Sequence, residues 1–337
     1  MTSNLIMRSD FCLKFLVNLI TITTMSKVSV IGVGNVGATC ANVLAGWNIA
    51  KEIVLLDVRE GYAEGKAIDI QQSAKIMGIN SHIIGVTNDY KATAGSDVVV
   101  VTSGIPRKPG MSREDLIGTN AKIVSEVVGN IVKFSPNAFI VMVSNPMDTM
   151  TYLAYKTCGI KKNHLIGMGG ALDSSRFNYY LSKALNAPVC DIDGMVIGAH
   201  GDATMVPLMS SVKYKGGDVE KILNKAKREQ VIADTMVGGA TITKLMGTSA
   251  FYAPGACAAS IVRAILHDEK RIIPCSVPQN GEYGEEDICL GVPIVIGKKG
   301  VEKIVKIQLS DDEKKRFHEG AEKQRNTNKI LHELGLI

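Results

Sequence analysis

Residues 28–37 read VSVIGVGNVG, and the fold follows from how this stretch is parsed. Val28, Val30 and Ile31 make a short β-branched run that suits a buried strand. Gly32, Gly34 and Gly37 then stand as G-x-G-x-x-G where that strand ends and a helix, expected over Asn35–Gly46, begins. In this setting the first glycine makes the tight turn and the second lets a pyrophosphate approach the backbone. The third lets the helix pack close to the strand. The helix N-terminus adds unpaired N–H groups and the positive end of a dipole. Twenty residues past Gly37, the apolar run Ile53–Leu56 ends in Asp57, an acid placed for the hydroxyls of an adenosine ribose. A carboxylate there repels a 2′-phosphate, so the pattern favours NAD over NADP. Gly32, Gly34, Asn35, Val36, Gly37 and Asp57 are therefore the candidate cofactor-binding residues.

Outward from this turn, strand and helix signals alternate. Strands are expected at His82–Val86, Asp97–Ser103 and Phe139–Ser144. Between the last two, Ser112 and Asp115 form a capping-box pattern ahead of a long helix whose apolar residues, Leu116 to Ile131, keep helical spacing until Pro136. Continuous apolar strands alternating with helices imply a parallel sheet covered on both faces. After about residue 150 the pattern changes. A helix is expected over Leu172–Leu185, and Met195–Ile197 leads into His200. Mostly helical sequence follows over 218–267, broken at Gly238-Gly239 and Pro254. A strand meander is expected at Ile272–Val277, Leu290–Ile296 and Ile304–Leu309, before a charged helix capped by Ser310-Asp311-Asp312-Glu313. The predicted class is α/β, with a Rossmann-type parallel sheet over residues 25–150 followed by an α+β catalytic and substrate domain over 151–337.

Composition narrows the function. Of 337 residues, 46% are hydrophobic and 21% charged, the balance of a globular chain. The net charge of +5 is spread without a basic block, which argues against a nucleic-acid partner. Seven cysteines, with no C-x-x-C spacing, argue against a disulfide scaffold or metal site and for a reducing, cytoplasmic setting. Residues 1–24 differ from the rest. Their apolar stretch, Phe11 to Ile22, is broken by Lys14 and Asn18 and is too short to span a bilayer. It lacks a small-residue cleavage site and the Arg-rich, acid-free character of a transit peptide. We expect a non-core extension there and no membrane partner, which leaves organellar targeting as the lesser alternative.

Chemistry-bearing residues cluster in four strings. The loop GIPRKPGMSR (104–113) holds Arg107 and Arg113 between glycines and prolines. Such charges are ordinarily solvated, yet this loop follows the carboxyl end of a parallel strand, where ligands bind, and has the composition of a closing lid. Asp173 and Arg176 lie three apart in LDSSR and face each other on one helix. His200 sits between glycines in GAHGD, an unusual core position for an imidazole. A carboxylate beside it would fix its tautomer and raise its pKa, giving a general acid–base. Sequence proximity does not choose between Asp202 and Asp173 as that carboxylate. Asn145 ends the strand VMVSNP and is either a turn residue or an amide pointed into the cleft.

Taken together, GVGNVG, GIPRKPGMSR, VSNPMD, MGGALDSSRF and GAHGD resemble the malate dehydrogenases of the lactate-dehydrogenase-like kind, from about Lys27 to the C-terminus. The resemblance implies reversible hydride transfer between malate and oxaloacetate with NAD and no metal, in the tricarboxylic acid cycle. It makes His200 the proton donor and acceptor and Asp173 the carboxylate that orients it. Arg176 is then expected on the substrate's C1 carboxylate, and Arg113 arrives with the lid to polarise the carbonyl. Arg107 occupies the specificity position, where lactate dehydrogenases carry Gln, and matches a second carboxylate. Asn145 places substrate against the nicotinamide, and Asn120 lies near cofactor and substrate. Ala199 stands where the family often has Glu, and Thr248 falls near the small residues beside the substrate. A homo-oligomer, dimer or tetramer, is implied. The alternatives are a lactate or other 2-hydroxyacid dehydrogenase and a non-catalytic NAD-binding protein.

Overall fold

The computed structural model describes residues 26–106 and 110–337; the extension at 1–24, with Cys12, and Arg107 lie outside the described residues. Along the first half run β1 (Lys27–Ile31), α1 (Asn35–Gly46), β2 (Glu52–Asp57), α2 (Tyr62–Gln72), α3 (Ala74–Met77) and β3 (His82–Thr87). They are followed by β4 (Val98–Val101), α4 (Arg113–Phe134), β5 (Phe139–Met142), α5 (Met147–Thr157), β6 (Leu165–Gly167) and α6 (Gly169–Leu185). Beyond these come short strands β7 (Ile192–Asp193), β8 (Val196–Gly198), β9 (Met205–Pro207), β10 (Lys213–Tyr214) and β11 (Gly217–Asp218). Helices α7 (Lys225–Met236), α8 (Gly238–Met246) and α9 (Tyr252–Leu266) precede β12 (Arg271–Asn280), β13 (Glu286–Gly297), β14 (Gly300–Ile304) and α10 (Asp311–Glu333).

Strands β3-β2-β1-β4-β5-β6 lie side by side and parallel, the order of a doubly wound dinucleotide-binding sheet. The sheet then continues into antiparallel β12, β13, β8 and β9, with β14 on β13. Both faces are covered. On one, Cys40, Ala41 and Leu44 of α1 and Ala258, Ala259 and Val262 of α9 bury Val28, Val30 and Val100. On the other, Ile117, Val124, Val128 and Ile131 of α4 cover Ile31, Val99, Val101 and Ile140. Burying a side chain of this size contributes about 1.5–3 kcal/mol. The start of α4 is fixed by the expected box: Ser112 Oγ accepts the Asp115 N–H at 3.0 Å, and Asp115 accepts the Ser112 N–H at 3.1 Å. The same reciprocal pair, Ser310 with Glu313, starts α10. No described helix is long and apolar enough to cross a membrane.

Several elements depart from the sequence reading for physical reasons. The run Asp97–Ser103 is regular strand only over Val98–Val101, although its ladder hydrogen bonds reach one residue further at each end: the Asp97 N–H donates to the Lys27 carbonyl and the Thr102 N–H to the Ile31 carbonyl, both at 2.9 Å. Helix α2 was not legible: its packing face is Ala63, Ala67 and Ile70, too small to show a periodic apolar stripe. Pro254 does not break the helical stretch; it sits in the first turn of α9, where its missing N–H needs no partner. The third meander strand is Gly300–Ile304 instead of Ile304–Leu309. Past Ile304 the backbone leaves the ladder, with the Ile307 N–H donating to the Tyr283 hydroxyl at 3.1 Å.

Candidate active site

The glycine turn has the space its sequence implies. Gly32 has φ +85°, and a Cβ there would lie 2.8 Å from the Ser103 nitrogen. A Cβ at Gly37 would fall 2.1 Å from the Gly32 carbonyl oxygen, so the close packing of helix on turn requires its absence. At Gly34, which caps α1 without a side-chain bond, a Cβ would meet nothing within 4 Å among the described residues. That open space faces the free N–H groups of α1, as a bound pyrophosphate would require. Asp57 closes the turn from β2: its Oδ2 accepts the Val33 N–H at 2.9 Å. Burial pushes the carboxyl up, but hydrogen bonds from Arg59 and Val33 outweigh it and hold Asp57 below its ordinary range. A cavity of about 460 Å³ runs from Gly34 and Asp57 to Tyr90 and Val127.

It shares Thr102, Ser103, Gly104 and Ile105 with a second cleft of about 550 Å³, in which His200 and Arg176 meet. Both open at the carboxyl ends of β1 and β4, where the strand order reverses and ligands enter such sheets. Together the two cavities line a path from the glycine turn and Asp57 to His200.

In the second cleft α6 carries Asp173 and Arg176 one turn apart. His200 Nδ1 lies 2.8 Å from Asp173 Oδ2, and Arg176 Nη1 donates to Asp173 Oδ1 at 3.2 Å. Asp202 lines the cleft, but the imidazole is bonded to Asp173, which resolves the choice left open by the sequence. A carboxylate only accepts, so Nδ1 carries the proton and Nε2 is left for the cleft. Burial alone would lower the His200 pKa; the Asp173 charge and hydrogen bond, with Asp148 behind, raise it above 6.5.

A further carboxylate anchors the backbone beneath the imidazole. Asp148, in the first turn of α5, is buried and accepts the His200 backbone N–H at 2.5 Å and the Ser276 hydroxyl at 2.5 Å. Desolvation pushes its pKa up to about 6, against the lowering pull of Ser276 and His200. Nothing in the string VSNPMD sets Asp148 apart. An acid in a helix's first turn is common, and only the fold reveals that it lies under His200.

The remaining candidates are placed as follows. Asn145 is exposed at the end of β5 and lines the cleft. Asn120 also lines it, but its amide is committed to the backbone, bonding the Ile105 N–H and C=O and the Asn145 C=O. It ties two cleft loops together. The Arg176 Nε is buried without a partner among the described residues, and a Cβ at Gly239 of α8 would come within 3.3 Å of its Nη2, so that glycine makes room for the guanidinium. Asn35 opens α1 and Val36 lines the second cleft. Ser249, rather than Thr248, contributes to the wall. Arg113 is not brought to this group. It begins α4, and its Nη2 donates to Thr327 Oγ1 of α10 at 2.8 Å.

Residues 26–167 match the model of the NAD binding domain of lactate/malate dehydrogenase, and residues 170–333 match its alpha/beta C-terminal domain. The chain belongs to the lactate/malate dehydrogenase family. Within it, a malate dehydrogenase of Bacteroides fragilis is 58% identical over 313 residues, 93% of this chain and 100% of that protein. The solved malate dehydrogenase of Salinibacter ruber superposes with a TM-score of 0.87 at 40% identity, covering 91% of this chain and 98% of that one. The lactate dehydrogenase of Cryptosporidium parvum, solved with lactic acid and nicotinamide adenine dinucleotide, gives 0.88 at 35%, covering 92% and 98%. Backbone likeness thus spans both substrates, and the choice between them falls to individual side chains.

Proposed function

We propose that the chain is an NAD-dependent malate dehydrogenase, interconverting malate and oxaloacetate. The observation that supports it best is the His200–Asp173–Arg176 constellation in a cleft continuous with the glycine turn. The division of labour follows the chain: residues 25–150 hold the cofactor, and 151–337 supply most of the substrate and proton-transfer groups. NAD, when bound, supplies the nicotinamide that accepts the hydride from C2 of malate or returns it to oxaloacetate. Gly32, Gly34, Asn35, Val36 and Gly37 would receive its pyrophosphate, Asp57 its ribose hydroxyls, and Asn120 would brace the loop beside it.

In the oxidative direction His200 Nε2 takes the proton of the C2 hydroxyl, and Asp173 stabilises the resulting imidazolium. In reduction the protonated ring returns it to the carbonyl oxygen. Arg176 forks onto the C1 carboxylate, and Asn145 orients the substrate. Arg113, once free of Thr327, stabilises negative charge developing on the C2 oxygen, a contribution of about 3–4 kcal/mol for one good donor. Arg107 pairs the second carboxylate; a monocarboxylate would leave that guanidinium without its partner. No metal has a part. The setting we propose is cytoplasmic, in the tricarboxylic acid cycle, as a homo-oligomer without nucleic-acid or membrane partners.

The test is NADH oxidation by the purified protein with oxaloacetate and, separately, pyruvate. Turnover with oxaloacetate should dominate. Faster turnover with pyruvate would reassign the substrate, and NADH binding without turnover would leave a cofactor-binding protein.

A further inference from the structure

At the rim of the adenosine-side cavity a cation stands beside the ribose-selecting acid. Arg59, two residues past Asp57, donates to it three times: its backbone N–H and Nε reach Oδ1 at 3.1 and 2.9 Å, and Nη2 reaches Oδ2 at 3.1 Å. The guanidinium carbon also sits 3.5 Å from the centroid of the Tyr62 ring. Fork and stacking together fix its direction. The two partners differ in exposure: the Asp57 side chain is 8% exposed and that of Arg59 is 53% exposed.

The acceptor count is informative. A carboxylate offers about four acceptor positions. Val33 fills one, and Arg59 fills the other three. A ribose diol that donates to Asp57 must therefore displace Arg59 donors, and the displaced guanidinium stays at the rim. Asp57 is thus both the acceptor that favours ribose hydroxyls and the group that occupies the nearest cation. Remove its charge, and a planar guanidinium suited to phosphate is left backed by an aromatic ring.

We propose that Arg59 is a second specificity residue of the cofactor site: a ligand for a 2′-phosphorylated dinucleotide that the Asp57 carboxylate keeps engaged. The proposal rests on the reading that the adenosine ribose lies against Asp57. It differs from simple repulsion by Asp57, which would need no arginine.

Binding and turnover test it together. Asp57→Asn, Asp57→Ser and each of these with Arg59→Gln would be titrated calorimetrically with 2′,5′-ADP and 5′-AMP. The kcat/KM ratio for NADPH over NADH would be measured with oxaloacetate. In Asp57→Ser we expect 2′,5′-ADP to bind about 10- to 100-fold tighter than in the parent, the scale of one charge-assisted contact. That gain should weaken with salt and be reversed by Arg59→Gln, with the NADPH:NADH ratio moving in parallel. Asp57→Asn keeps an acceptor for Val33 and guards against a misfolded Ser variant. If the Arg59→Gln double variants keep the whole gain, repulsion alone sets the choice and the proposal falls. If the Asp57 variants leave both nucleotides' affinities at parental values, the ribose does not lie there, and the cofactor placement itself fails.

Discussion

At one end of the cleft, His200, Asp173, Asp148 and Ser276 form an unbroken line of hydrogen bonds, with both carboxylates buried. At the other, Arg113 is bonded to Thr327 on α10 and does not line the cleft. The difference separates two kinds of catalytic contribution. The groups to which we assign proton transfer are preorganised: they are held by elements that also build the core. The charge proposed to stabilise the C2 oxygen is held in a competing contact, so in that reading its contribution depends on an equilibrium. Substitutions at the first end should change the chemical step. Those at the second should also change how often the site is complete.

The largest effect is expected at His200. His200→Asn should keep NADH binding and lower kcat by about 10²–10⁴-fold, the range of general acid–base catalysis. Asp173→Asn should act in the same direction, and the double variant should lose little more, because the pair works as a unit. Near-native turnover in His200→Asn would remove the ring from the mechanism. The raised His200 pKa fixes the sign of the pH dependence. Oxaloacetate reduction, which needs the protonated ring, should persist above pH 6.5 and fall as pH rises through the raised value. Asp173→Asn should move that fall to lower pH; a fall at unchanged pH would separate Asp173 from His200.

Next comes Arg107, to which we assign substrate choice. Arg107→Gln should lower kcat/KM for oxaloacetate by roughly 30- to 5,000-fold, converting about 2–5 kcal/mol for a truncated buried charge pair, and raise that for pyruvate. Arg113→Gln should harm both substrates, since the contact we propose for it is with the carbonyl they share. Equal losses for both in Arg107→Gln would assign Arg107 to assembly of the site instead of substrate choice.

Part of this contrast was legible in the sequence. The G-x-G-x-x-G turn and Asp57 could be placed because Gly32 and Gly37 answer local steric demands, and local demands leave a mark in spacing. The α4 cap was legible for the same reason: Ser112 and Asp115 are three residues apart. The His200 partner was not, because Asp173 is 27 residues away and Asp202 only two. That choice is made by how α6 lies against the GAHGD loop. Asp148, 52 residues before His200, is still harder to find, since a buried carboxylate and a helix-terminal surface carboxylate look alike in a string of letters. Arg59 beside Asp57 carries no such mark, because a surface arginine is ordinarily a solvated one. Non-local contacts are where the sequence reading thins.

Asp148 lets the preorganised end be loosened without touching its chemistry. Asp148→Asn preserves shape but removes a charge that holds the His200 backbone and Ser276. A hydrogen bond to a charged group contributes about 1.5–3 kcal/mol, so kcat should fall about 10- to 100-fold if the loss is felt in the transition state. With its pKa near 6, the carboxyl gains a proton as pH falls through that value, and one acceptor becomes a donor. The parent should therefore show an acid limb near pH 6 that Asp148→Asn flattens. If the variant keeps both native kcat and the limb, Asp148 only fills space under the loop.

The smallest effect probes the recruited end. In the structure Thr327 Oγ1 accepts from Arg113 and donates to the Lys323 carbonyl at 3.1 Å. If Arg113 must leave Thr327 to reach substrate, that bond taxes every productive encounter by a fraction of about 0.5–1.5 kcal/mol, the net value of an ordinary hydrogen bond. Thr327→Val removes the acceptor at nearly constant volume and leaves Arg113 nothing to exchange there but water. The population with Arg113 available should rise, and KM for oxaloacetate should drop about 2- to 10-fold. Apparent NADH affinity at Asp57, at the far end of the dinucleotide site, should hold. Melting temperature is the control, because the hydroxyl also bonds within α10 and its loss alone should lower stability. A drop in melting temperature with unchanged KM would mean that Thr327 serves the helix and that its bond to Arg113 does not compete with substrate. A raised KM would mean that the contact guides Arg113 toward the cleft, which would turn the contrast between the two ends into a difference of degree.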